Sequence, residues 1–307
     1  MIWLHRYARL LVAATLLLVA AGGMVTSTNS GLSVPDWPTT YGYQMFSFPV
    51  SRMVGGIFYE HGHRLIATVV GMLTIGLVIF LWRAEPRAWV RRLGWLALAA
   101  VIVQGLLGGL TVLFLLPDAI SISHAGLAQI FFGLTLTVAL VTSAGWRRPA
   151  APPVDDEALR RRLLVLSGIV YTQILIGATM RHTGAGLAIP DFPLSYGRLV
   201  PPFWNVAIAL HFTHRVVALA VAALSIAVVW RVLTRYPSRP ELARPSWALV
   251  VAVTSQITLG AFVVLTGKDE IVNTLHVATG ALVLGTTLLL TLRAFRIRFD
   301  HPVRRET

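Results

Sequence analysis

Eight apolar runs in this chain are long enough to cross a bilayer as helices, and nothing else in the sequence restricts its fold as strongly. A membrane helix needs about 20 consecutive apolar residues. The runs lie near 7–26, 60–82, 93–115, 122–143, 163–180, 206–230, 246–266 and 271–292. Composition points the same way. The 307 residues are 56% hydrophobic and only 13% charged, with mean hydropathy +0.71. That balance excludes a soluble globular protein and predicts an all-α integral membrane protein. The first run follows Arg6 and is trailed by "VAAGG", which imitates a signal peptide. A counterpart later in the chain favours a true span.

Charge gives the orientation. Of the 26 basic residues, 20 fall at the N-terminus, in the second, fourth and sixth connections, and at the C-terminus. The other side holds Arg52, Arg64, Arg181, Arg198, Arg215 and Lys268. The positive-inside rule therefore places both termini in the cytoplasm and the odd-numbered connections outside. The basic excess, 26 against 13 acidic residues, is matched to a lipid surface and not to nucleic acid. The chain has no cysteine, so disulfides, thiol catalysis and thiolate metal ligation are excluded.

The chain repeats itself. "GLSVPDWPTTYG" (Gly31–Gly42) returns as "GLAIPDFPLSYG" (Gly186–Gly197), and "EHGHR" (Glu60–Arg64) returns as "HFTHR" (His211–Arg215). "QGLLGGLTVL" from Gln104 returns as "QITLGAFVVL" from Gln256, and "HAGLAQ" from His124 as "HVATGA" from His276. Four matches in one order, all 151–155 residues apart, imply a duplicated four-helix unit. An even number of spans keeps both copies in one orientation, a parallel repeat of two pseudo-symmetric bundles. The expected units are 1–148 and 163–307, joined by a cytoplasmic linker at 149–162. The Pro- and Gly-containing outer connections are expected to be ordered turns over the bundle.

Four histidines occupy matched repeat positions: His63 with His214, and His124 with His276. All lie one or two turns from the outer end of an even-numbered span. Ionisable side chains inside a membrane are costly and mark function. Within each half, two imidazoles at equal depth on different helices suit a planar metallo-ring in a bundle core. Bis-His ligation of haem iron fits this arrangement. Zinc lacks a third and fourth ligand unless Glu60 or His211 joins. Copper remains open, without a methionine cluster at that depth. Arg64 and Arg215 follow the first ligand of each pair and either pair with haem propionates or snorkel to the membrane interface.

Helical geometry sorts the "EHGHR" residues. At about 100° per residue, Glu60 and His63 share a face, whereas His61 points away. The same spacing puts His211 on the face of His214. Glu60 therefore stands where the second copy has His211. A carboxyl group beside iron can relay protons or stabilise a cationic intermediate, which an imidazole does less readily. This divergence places chemistry in the N-terminal half and a permanent cofactor in the C-terminal half. Asp36 and Asp191 read as turn residues in their loops. Gln104 and Gln256 are candidates for bonds across helices or to a ring substituent, and Gly108, Gly109 and Gly260 for close packing.

These motifs, "GLSVPDWP", "EHGHR", "SISHAG", "GLAIPDFPLSYG", "HFTHR" and "NTLHVATG", together resemble the haem A synthase family over nearly the whole chain. The family consists of membrane enzymes that mature haem for cytochrome oxidase. The resemblance implies that the C8 methyl group of haem O is oxidised to a formyl group by successive O2-dependent hydroxylations, giving haem A. It implies His63 and His124 as ligands of the substrate haem, His214 and His276 as ligands of a haem b, and Glu60 as the catalytic glutamate. It implies a multi-pass plasma-membrane protein with haem sites toward the outer face, an electron donor, and haem O synthase as a neighbour. One branch of the family carries an outer-loop cysteine pair, which this chain lacks. Two other readings compete. A di-haem b-type electron-transfer cytochrome predicts two permanent haem b groups. A transporter explains the duplication but not the four matched histidines.

Overall fold

A computed structural model describes residues 2–148 and 152–299. The basic residues expected at the extreme C-terminus, Arg304 and Arg305, and linker residues 149–151 lie outside the described residues. The helices are α1 (Ile2–Ser27), α2 (Gly56–Ala84), α3 (Ala88–Leu113), α4 (Asp118–Val141), α5 (Ala144–Arg147), α6 (Glu157–His182), α7 (Val206–Arg235), α8 (Pro240–Leu265) and α9 (Glu270–Ala294). All except the short α5 are 24–30 residues long and apolar enough to span a membrane. At about 1.5 Å rise per residue they are roughly 36–45 Å long, more than the ~30 Å thickness of a bilayer's hydrocarbon core.

Every expected span is present, and several are longer than their apolar runs. α6 starts at Glu157, inside the 149–162 segment read as connection. Its start is set by Asp156, whose side chain accepts the Leu159 N–H at 2.9 Å. Arg160 is buried in this first turn and pairs with Asp155 at 2.9 Å and Glu157 at 2.7 Å. Paired charges end an apolar window but not a helix, because the helix continues to water.

The long helices form two closed rings of four. In the first, α1 packs on α2, α2 on α3, α3 on α4 and α4 on α1. In the second, α6 packs on α7, α7 on α8, α8 on α9 and α9 on α6. The rings meet along α1, α4, α6 and α9. Each ring has its own apolar cluster, and both clusters lie toward the arginine-rich end. The first includes Leu4, Leu11, Leu77, Leu81, Phe131 and Val138; the second includes Leu163, Leu166, Val228, Val232, Leu249 and Leu290. That end is also pinned by ions. Buried Glu85 pairs with Arg87 at 2.7 Å and with Arg147, and Asp156 pairs with Arg231 at 2.7 Å. The opposite end carries the two long loops between α1 and α2 and between α6 and α7.

Candidate functional site

The four matched histidines sit at the loop end, where the apolar clusters stop. His63 is on α2 and His124 on α4, which face each other across the first ring within electrostatic range. His214 on α7 and His276 on α9 do the same in the second, with ring centroids 6.5 Å apart.

Each imidazole lies against a glycine of the preceding helix. A Cβ placed on Gly22 falls 3.0 Å from His63 Cε1, and one on Gly108 falls 3.2 Å from His124 Cε1. One on Gly177 or Gly260 falls 3.0 Å from Cε1 of His214 or His276. A side chain at any of these four positions pushes the ring inward. Gly109 serves differently: Trp37 of the loop lies on it, with a Cβ there only 2.5 Å from the indole. Of these, Gly22 and Gly177 carry no motif of their own in the sequence, and the one signal for them is that they stand in the same 155-residue register as the loop motifs.

The loops are held over the rings by matched bonds. Asp36 accepts from Tyr41 N at 2.7 Å, Gly42 N at 2.9 Å and Thr39 Oγ1 at 2.5 Å. Asp191 accepts from Tyr196 N and Gly197 N, both at 2.7 Å. Tyr41, Gly42, Tyr196 and Gly197 all have positive φ, which explains a glycine closing each turn. Burial pushes the Asp36 carboxyl up, but the donors from Gly42, Thr39 and Tyr41 outweigh it and hold it below the usual carboxylate range. The Gly197 N–H chiefly does the same for Asp191. Both aspartates are turn residues, as expected.

Arg64 donates to the carbonyls of Asp36 (2.7 Å), Thr39 (3.0 Å) and Val34 (2.9 Å) and pairs with Glu60 Oε1 at 2.6 Å. Arg215 donates to the carbonyls of Asp191 (2.7 Å), Leu194 (2.8 Å) and Ile189 (3.4 Å). Both arginines therefore clamp loop backbone. Glu60 Oε2 accepts the Val34 N–H at 2.7 Å, and His211 Nδ1 accepts the Ile189 N–H at 3.2 Å. Both residues are 3% exposed. His61 turns from the ring into the loop, meeting Thr40 Oγ1 at 2.9 Å and Phe48 at 5.0 Å between centroids. Gln104 bonds across helices to the His124 carbonyl at 2.9 Å, and Gln256 lies against His276. Gln173, which has no glutamine counterpart in the first half, bonds the His214 carbonyl at 2.8 Å.

This donor set fits a haem better than a zinc ion. Among the described residues no cluster of three or more His, Asp or Glu could hold a metal. Glu60 and His211, the only extra zinc ligands foreseen, are turned to loop backbone. Two imidazoles with centroids 6.5 Å apart leave room for one iron between them, given metal–nitrogen bonds of about 2 Å and ring radii of about 1 Å. The Nδ1 atoms of His63, His124 and His214 are buried without a hydrogen-bond partner. At three of the four matched places a buried nitrogen thus lacks a partner the protein itself supplies, whereas His276 Nδ1 lies 3.2 Å from the Gln256 carbonyl.

A model of the COX15-CtaA family, "Cytochrome oxidase assembly protein", matches residues 43–288. A "Heme A synthase" of Symbiobacterium thermophilum is 31% identical over 273 residues, covering 86% of each chain. That of Shouchella clausii is 31% identical over 258 residues, covering 82% of this chain and 83% of its own. That of a Caulobacter species is 30% identical over 344 residues, covering 97% of this chain and 95% of its own. With two histidine-bearing helical rings and matches over nearly its full length, the chain belongs to the COX15-CtaA family of cytochrome oxidase assembly proteins, the family of the haem A synthases.

Proposed function

We propose that this protein is a haem A synthase: it oxidises the C8 methyl group of haem O to a formyl group, using O2 and electrons from a separate donor. The observation that carries the reading is the pair of facing histidines in each ring, every imidazole set against a glycine. In this reading His63 and His124 hold substrate haem O in the first ring, and His214 and His276 hold haem b in the second. Haem b, when bound, supplies one-electron storage for the chemistry next door.

The chain's own residues do the rest. The glycines let imidazole and helix approach closely, which fixes each ring's angle. Gln104 and Gln173 bond the backbone carbonyls of His124 and His214 and tie the ligand-bearing helices to their neighbours. The loops cover the mouths of the rings and limit water there. Glu60 is the carboxylate held beside the first pair, where it can take or give a proton. Arg64 and Arg215, one residue after a ligand, are assigned to propionate groups as well as to the loops. The rings are the two copies of a parallel repeat, with the division between the copies falling in the segment 149–162, whose later part already forms the first turn of α6. The positive-inside rule puts both termini in the cytoplasm, so the loops and both haem sites face outward across the plasma membrane. Haem O synthase is the natural supplier of the substrate.

Histidine variants test the assignment by ring. In a host that makes haem O, His214→Ala or His276→Ala should remove haem b from the purified protein. His63→Ala or His124→Ala should keep haem b and abolish haem A. Loss of haem b from the first-ring variants only would overturn the assignment. A di-haem cytochrome is the second reading, favoured by one observation: Glu60 and His211 receive equivalent backbone bonds. Two equivalents of haem b, with no haem O or A, would establish it.

A further inference from the structure

Arg181 is the residue that neither the loops nor the histidine pairs account for. It lies in the last turn of α6, at the seam where the rings meet. Its Nη2 donates to the Gly23 carbonyl of α1 at 2.6 Å and to Ser27 Oγ at 3.4 Å. Ser27 also receives Asn273 Nδ2 at 3.0 Å and Thr274 Oγ1 at 3.1 Å from α9. A Cβ on Gly23 would stand 3.5 Å from Thr274 and 3.6 Å from Val277, the residues flanking His276 by one or two positions. The guanidinium thus sits within electrostatic range of His276.

No carboxylate pairs with Arg181 among the described residues. Its Nε is enclosed and has no hydrogen-bond partner. The carbonyl end of α1 compensates part of the charge through the helix dipole. The remainder is a partly enclosed cation with one unused donor and no carboxylate partner, an arrangement that an anion would complete. Arg215, by contrast, has its bonds to three loop carbonyls.

We propose that Arg181 is an anion-binding residue for a porphyrin propionate, the second carboxylate of the haem held by His214 and His276. This deepens the haem b assignment above and rests on it. A porphyrin of this class carries two propionates, and beside the second pair Arg215 is already bonded to three loop carbonyls while Arg181 at the seam keeps an unused donor. Arg181 lies about one turn nearer the loop end of α6 than Gly177, the glycine against His214, so a porphyrin held by the second pair would present its propionate side within reach of it. Because Arg181 also bonds α1, the same contact seats the porphyrin against the helix whose Gly22 supports His63.

The test compares full-length protein, made in a haem-depleted host, for binding of haem b and of haem b dimethyl ester. Wild type should prefer the free acid by roughly tenfold or more, the value of a charge-assisted bond. Arg181→Gln should lose much of that preference and lower the midpoint potential of bound haem b, while Arg181→Lys keeps part of both. An unchanged preference in Arg181→Gln overturns the proposal. Should that variant not accumulate, equal affinity of wild type for the two porphyrins overturns it alone. Wild type that binds neither porphyrin sinks the haem b assignment itself, a separate failure visible before any variant is made.

Discussion

Glu60 and His211 do the same backbone work: one accepts the N–H of Val34 at 2.7 Å, the other the N–H of Ile189 at 3.2 Å. Each anchors a loop over its ring. What separates them is charge. Glu60 is also ion-paired to Arg64 at 2.6 Å, whereas no ion pair to a carboxylate is present at His211 among the described residues.

Two Glu60 variants should divide anchoring from chemistry. Glu60→Gln keeps an oxygen for the Val34 N–H but removes the carboxylate. It should melt near wild type while haem A yield falls by about a hundredfold. Glu60→Ala should lose the yield and also melt lower, because the Val34 N–H and Arg64 both lose a buried partner. Wild-type haem A from Glu60→Gln would make Glu60 a loop anchor and nothing more.

The glycines should be specific to their rings. In Gly177→Ala a methyl arrives 3.0 Å from His214 Cε1 and displaces the imidazole. Haem b occupancy should fall several-fold with the fold retained. Gly22→Ala, equally close to His63, should leave haem b intact and cut haem A. Extraction and chromatography of the bound haems read both outcomes.

Asp156 gives an acid-side prediction outside the spans. Burial pushes its carboxyl up, but Arg231, the Leu159 N–H and the Tyr236 hydroxyl outweigh that and bring it to about 2, from an ordinary value of 3.8. A lowered folded-state value stabilises the fold above the ordinary value, and the benefit is lost as pH falls toward about 2. Wild type should therefore melt lower at pH 3 than at pH 6, with Asp156→Asn showing a smaller drop. At neutral pH the substitution should cost about 1 kcal/mol through the lost charge facing Arg231, since asparagine caps α6 as well as aspartate does.

Arg215→Ala should release the second loop. The carbonyls of Ile189, Asp191 and Leu194 lose their shared donor. Amide exchange at residues 188–198 should quicken, with helix exchange unchanged. Protection equal to wild type would show that Asp191 and Tyr196 hold the turn by themselves.

The spans were legible because hydrocarbon allows few alternatives, and a run of apolar residues reports it directly. Their ends were not, because Asp156 capping α6 and the paired Arg160 read as loop residues in isolation. The four histidines stood out by their spacing, but the glycines beneath His63 and His214 lie some 40 residues earlier and meet them only when α1 packs on α2 and α6 on α7. Arg181 read as one of six outer cations. Its bond to Gly23 spans 158 positions, and no local pattern announces such a contact. The shared anchoring by Glu60 and His211 was hidden for a like reason: the sequence aligns the two residues but does not say what each one touches.

Each ring keeps its apolar packing and its ion pairs at one end and its histidines at the other. Such a ring works as a clothes-peg, with the spring in the leucine and valine cluster and the jaws in the two histidine helices. If the rings hold porphyrins as proposed, parting the jaws would admit or release one while the spring stays closed, and exchange of substrate for product would leave the packed half of each ring undisturbed.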